Sequence, residues 1–208
     1  MQETLQTFKY GFHVIFHPFD GFWELKHHKK NTSSAALIWL FLVSLVTIAR
    51  IQFSSFVFGT TVKEETNILL NALINVVIVG AWTVMNWALS TLADGKATMK
   101  QIWVATIYAQ IPIVLLQIPI ILLTHVLTAE EGVFIMLLYN IAQLWFYALV
   151  LIGNITIQDY TMTKTVIMAL LTFAGIIAAV FLLSVLMSVL MQLYRFFATI
   201  YAEIMFSF

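Results

Sequence analysis

Val166–Leu193 reads VIMALLTFAGIIAAVFLLSVLMSVLMQL, a run without a single charged side chain. A helix needs about 20 apolar residues to cross the hydrocarbon core of a bilayer. Soluble cores show short apolar stripes rather than uninterrupted runs of this length. Working outward, four more runs of the same kind precede it: Ala35–Val57, Ile68–Leu92, Ile102–Leu127 and Val133–Ile157. Together they predict an all-α polytopic bundle of five transmembrane helices over residues 35–193, with only short connections between them.

Composition agrees. The chain is 62% hydrophobic and only 10% charged, where a soluble domain carries about 25% charged residues. Net charge is zero, so no long-range field draws nucleic acid to it. There is no cysteine, which removes thiol nucleophiles, thiolate metal sites and disulfides.

Residues 1–34 are amphipathic. Leu5, Phe8, Phe12, Ile15, Phe16, Phe19, Phe22 and Trp23 recur at helical spacing, and Pro18 divides a helix over Glu3–His17 from a second over Pro18–His28. Phe8, Phe12, Phe16, Phe19 and Trp23, with Lys26, Lys29 and Lys30, suit a helix lying in the headgroup region. The compatible alternative is that the aromatic face packs on the chain's own spans. No small-residue cleavage site closes a short apolar core, so a signal peptide is not expected. Residues 194–208 form an amphipathic tail, read either as a continuation of the last helix or as a second interfacial one.

Lysine and arginine near span ends set orientation. By alternation, Lys9, Lys26, Lys29, Lys30, Lys96, Lys100 and Lys164 share one side. Lys63 and Arg195 lie on the other, with Arg50 leaning toward them. The lysine-rich side is expected to be cytoplasmic, which puts the N-terminus inside and the C-terminus outside.

Polar residues at membrane depth are candidates for helix contacts or function. Arg50 is the one charged residue within a predicted span. It either snorkels to headgroups or pairs with a carboxylate from a loop or another subunit. Asn71, Asn75, Trp82 and Asn86 share a face of the second span, Gln110 and Gln117 a face of the third, and Asn140 and Gln143 a face of the fourth. They read as hydrogen-bonding glue or as a polar groove between spans two, three and four. Pro112 and Pro119 are expected to kink the third span. His13 and His17 stand one turn apart but lack an acidic third ligand at helical spacing. No nucleophile–base pair or phosphate-binding glycine motif is present. Neither an enzyme nor a bound cofactor or metal is expected.

Two segments carry a resemblance. One is His17-Pro-Phe-Asp-Gly-Phe-Trp-Glu-Leu-Lys26, just before the first span. The other is Asn86-Trp-Ala-Leu-Ser-Thr-Leu-Ala-Asp-Gly-Lys-Ala-Thr-Met-Lys-Gln-Ile-Trp103, followed by Tyr108-Ala-Gln-Ile-Pro112. The chain resembles the Yip domain family of five-span membrane proteins, in its bacterial branch. That resemblance covers nearly the whole sequence. It implies a cytoplasmic N-terminus, the bacterial cytoplasmic membrane and a role as an adaptor for other membrane proteins. An accessory role beside a transporter, such as a sugar importer of the ATP-binding-cassette type, is one form of it. The long polar N-terminal tail of eukaryotic relatives is missing, so GTPase binding does not carry over. Asp94-Gly95-Lys96 also has its own physics. Gly95 is expected to take the left-handed conformation that ends a helix, with Lys96 at the headgroups and Asp94 as cap or ion-pair partner. The segment is read as a turn, or as a docking site.

The preferred reading is a non-enzymatic adaptor or auxiliary subunit, in contact with membrane lipids and another integral membrane protein. The alternative is a small permease or channel using the polar groove.

Overall fold

The computed structural model describes residues 10–27, 33–55, 58 and 67–206. Phe8, Lys29, Lys30 and the loop glutamates Glu64 and Glu65 lie outside the described residues. All regular structure among the described residues is helical, and five helices are long and apolar enough to cross a membrane.

The spans form where the apolar runs lie. Helix α1 covers 10–16 and α2 is Pro18–His27. The first span is α3, Ser33–Phe53, and the second is α4, Ile68–Leu92. Asn67 caps α4 by accepting the Leu70 N–H at 3.1 Å. The third span is broken into α5, Met99–Ala109, and α6, Ile111–Leu123. The fourth is α7, Gly132–Gln158, and the fifth is α8, Met162–Phe206.

Pro112 explains the break. It has no N–H to donate, and its ring crowds the preceding turn. The backbone tightens around Gln110, whose N–H bonds Ile107 O at 3.0 Å while its carbonyl accepts from Ile113 N–H at 3.0 Å. Pro119 sits inside α6 without ending it.

The third span is the axis of the bundle. It packs on α3, α4 and α7, and its α5 half also meets α2. Ile102, Ile107, Tyr108, Ala109 and Ile111 are fully buried along it. At the end of the bundle away from α2, the Ser55 N–H donates to Thr124 Oγ1 at 3.1 Å, and His125 Nε2 donates to the Phe53 carbonyl at 2.6 Å. These bonds tie the end of α3 to the end of α6.

Helix α8 packs on α4 and α7 through its first turns, where Thr165, Met168 and Thr172 are buried. It continues without interruption past Leu193, the first of the two readings open for the tail. At about 1.5 Å per residue it is roughly twice as long as the hydrocarbon core is thick. Every described side chain from Val180 onward is exposed.

Candidate functional site

The second and third spans are joined by Ala93–Thr98, and this turn is the most heavily tied polar region of the chain. Ala93 N–H and Gly95 N–H both bond Ser90 O, at 3.0 and 2.8 Å. The left-handed residue is Asp94, at φ 57°, and no glycine has positive φ among the described residues. The expectation for Gly95 is therefore corrected: its requirement is space. An added Cβ would lie 2.5 Å from Gln158 Oε1, 2.7 Å from the Tyr160 hydroxyl and 2.8 Å from Ser90 Cβ. An aspartate tolerates the left-handed region better than most side chains, which lets the small residue sit one place later.

The α7–α8 turn supplies those neighbours. Asp159 ends α7 in the left-handed conformation, φ 58°, and Tyr160 follows. Gln158 Oε1 accepts the Ala97 N–H at 3.1 Å. The Tyr160 hydroxyl reaches Ala93 O at 3.1 Å and Ser90 O at 3.3 Å. Lys164 Nζ donates to Ala93 O at 2.6 Å and lies 4.4 Å from the Tyr160 ring centroid. The Ser90 and Ala93 carbonyls at the end of α4 thus gain partners from Tyr160 in the α7–α8 turn, and Ala93 also from Lys164 of α8.

Helix α2 closes the junction. Lys26 Nζ pairs with Asp159 Oδ1 at 2.6 Å, and Lys96 Nζ with Asp159 Oδ2 at 3.2 Å. The Lys26 side chain is 13% exposed and that of Lys96 69%, so the first pair is the better shielded and the second contributes little. The Lys26 ammonium, aided by Lys96, holds the Asp159 carboxyl below the usual carboxylate range. Burial, with Asp94 nearby, raises the Tyr160 phenol. Gln101 completes a capping box with Thr98 at the start of α5 and donates from Nε2 to Lys26 O at 3.3 Å. Five segments therefore meet at one lysine-rich end: α2, the Ala93–Thr98 turn, α5, the end of α7 and the start of α8.

The N-terminal helices form a tight hairpin set into the bundle. The bend falls at His17, and Gly21 lets α2 fold back on α1: an added Cβ would meet Val14 Cα at 2.9 Å. Tyr10 Oη donates to Gly21 O. Phe22 is fully buried and seats against Gly153 of α7. The aromatic face expected as one surface is divided. Phe12, Phe16, Phe19 and Trp23 are exposed, whereas Ile15 and Phe22 are buried in the core. Lys26, expected at the headgroups, is turned to Asp159.

The polar residues of the spans are dispersed. Asn71 Nδ2 bonds Asn67 O at 3.0 Å within its own helix. Asn75 Nδ2 reaches Ser44 Oγ of α3 at 3.4 Å, and Asn86 Nδ2 reaches Thr172 Oγ1 of α8 at 3.3 Å. These two contact the first and fifth spans, outside the expected groove between spans two, three and four. Gln110 and Gln117 are buried, each with Oε1 lacking a hydrogen-bond partner. Gln143 is half-buried and Asn140 exposed. The Arg50 guanidinium lies over the Tyr139 ring of α7, 5.4 Å from its centroid. Glu131 is engaged in the capping box with Thr128. Among the described residues no cluster of three His, Asp or Glu side chains is placed to hold a metal ion.

Ser90, Ala97, Gln101, Gln158, Asp159 and Tyr160 were not expected as contact residues from the sequence, and Lys164 entered only through its charge. The available signal was charge: Asp159 falls on the same side as Lys26 and Lys96 by span alternation.

No curated protein and no solved structure matches this chain. The Yip1 domain matches residues 12–185, from α1 through the first half of α8 and including every part of the junction. With its five apolar helices, the chain belongs to the Yip1 domain family of multi-span membrane proteins.

Proposed function

We propose that this protein is a non-enzymatic membrane adaptor or auxiliary subunit of another membrane complex, with its lysine-rich end in the bacterial cytoplasm. One observation carries the reading. Most ionisable groups of the junction are engaged in contacts between elements: Lys164 and Tyr160 bond the end of α4, and Lys26 and Lys96 pair with Asp159. A reaction centre needs an acid, base or nucleophile left free to act. A rigid, crosslinked helix end suits presentation of a fixed surface, here bearing exposed Asp94, Lys96 and Lys100. The membrane subunits of a solute importer, the ATP-binding-cassette sugar type included, are the partner class we infer.

Affinity isolation of the full chain from its native membranes in mild detergent tests this. A stoichiometric membrane protein should co-purify, and Lys96→Glu with Lys100→Glu should reduce its recovery. Isolation of the chain alone, with no partner crosslinked in cells, would overturn the reading.

A second reading, a small permease, draws support from the broken third span with the unpartnered Oε1 atoms of Gln110 and Gln117. Irregular backbone at membrane depth recurs where transporters bind solutes. Flux in reconstituted vesicles that Gln117→Leu abolishes would favour it. Vesicles no leakier than protein-free controls across a solute panel would exclude it.

A further inference from the structure

We infer that the outward face of α7 is the interface for a second copy of this chain, with Asn140 meeting its own counterpart at the centre. Asn140 lies about 12 Å along the axis from Gly132, well inside the hydrocarbon region. It is exposed, and its side chain makes no hydrogen bond to any described residue. A carboxamide facing lipid tails has neither water nor protein to bond, an unfavourable state that a neighbouring helix relieves.

The residues around it point to the kind of helix. Val133, Leu137, Asn140, Leu144, Tyr147 and Leu151 alternate at spacings of four and three. That is the repeat with which two helices pack side by side in a left-handed seam. Val133, Leu137, Leu144 and Tyr147 are all exposed. Ala142 and Leu149, on the opposite side of α7, are buried against the bundle. The seam is ready-made and uncovered from Val133 to Tyr147, with Leu151 half-buried at its end.

Self-pairing follows from symmetry. A two-fold axis along the membrane normal puts the same residue of each copy at the same depth. A carboxamide is both donor and acceptor, so two Asn140 side chains satisfy each other. The rest of the stripe has no charge to repel its mirror. A lone polar residue in such a seam also sets its register. This inference stands independently of the auxiliary-subunit reading.

Because the natural chain has no cysteine, single cysteines report the contact directly. The purified full chain is reconstituted in phosphatidylcholine–phosphatidylglycerol vesicles and oxidised with copper–phenanthroline. Leu137→Cys and Leu144→Cys should give a species of doubled mass, while Phe134→Cys and Trp145→Cys, exposed on another face, should not. Adding Asn140→Leu should weaken association by roughly 3- to 30-fold, and Asn140→Gln should largely restore it. Equal crosslinking on both faces, no crosslinking at the seam, or no effect of Asn140→Leu would each overturn the proposal.

Discussion

Gln158 Oε1 accepts the Ala97 N–H at 3.1 Å, joining the last residue of the fourth span to the turn between the second and third. The residues are far apart in sequence, and the same Oε1 lies 2.5 Å from where a Cβ on Gly95 would stand. The hydrogen bond and the missing side chain are one arrangement: α7 approaches the turn this closely only because Gly95 presents bare backbone.

Gly95→Ala is therefore expected to destabilise the protein. The added methyl must displace Gln158, Tyr160 or Ser90, all held by their neighbours. Overpacking of this kind costs about 1–3 kcal/mol. Thermal unfolding in mild detergent should show a fall of about 2–4 °C for each kcal/mol. An unchanged midpoint would mean that the turn moves freely away from α7.

Asp159 predicts a pH dependence. Lys26 and Lys96 lower its pKa in the folded state below the ordinary value of 3.8. The ion pairs thus add stability that is fully present above the unfolded-state pKa and is lost as pH falls through the folded one. The side chain is 45% exposed, so solvent screening limits the contribution to at most about 1 kcal/mol. Unfolding midpoints measured from pH 7 to pH 3 should stay apart down to about pH 4 and then draw together for wild type and Asp159→Asn as the unfolded-state carboxyl takes up its proton. A gap that stays constant over that range would assign the loss to packing instead of charge.

The five spans were legible because length and apolarity act locally: about 20 residues without charge admit few alternatives. Pro112 announced a disturbed third span for an equally local reason, the missing N–H. The junction was not legible in the same way. Lys26, Lys96 and Asp159 come from three separate segments, and alternation places them on one side without saying that they touch. The N-terminal face was read as continuous because a spacing of three and four describes a straight helix. The bend at His17 and the close approach at Gly21 divide it, and which aromatic turns inward depends on the seat that Gly153 offers to Phe22.

That seat supports a paired prediction. Phe22 is fully buried, and truncating such a side chain costs about 3–5 kcal/mol. In this hairpin the loss should appear first locally, because α2 is held by Phe22, Leu25 and the Lys26–Asp159 pair while the spans also pack extensively on one another. Hydrogen exchange should speed up in residues 10–27 of Phe22→Ala and remain slow in α5. Gly153→Leu should do the same from the opposite side, since its own Cβ would already lie 3.2 Å from Phe22 Cζ. Uniformly faster exchange across all helices would show that the spans depend on the hairpin for their own stability.

Asn86 tests whether the polar contacts between spans stabilise the bundle. Its Nδ2 donates to Thr172 Oγ1 at 3.3 Å, but its Oδ1 is buried without a partner. Removing the side chain loses one interhelical bond, worth about 0.6–2 kcal/mol in a bilayer. It also removes an unsatisfied oxygen whose burial costs about 1–3 kcal/mol. Thr172 keeps a partner in either case, because its hydroxyl donates to Met168 O at 2.7 Å. The two effects nearly cancel, so Asn86→Leu, which fills similar volume, should change stability by less than about 1 kcal/mol. Asn86→Ala should cost more, because it adds a cavity between α4 and α8. Unfolding of both variants by denaturing detergent separates the contributions, and a large loss in Asn86→Leu would mean that the bond to Thr172 outweighs the cost of burying Oδ1.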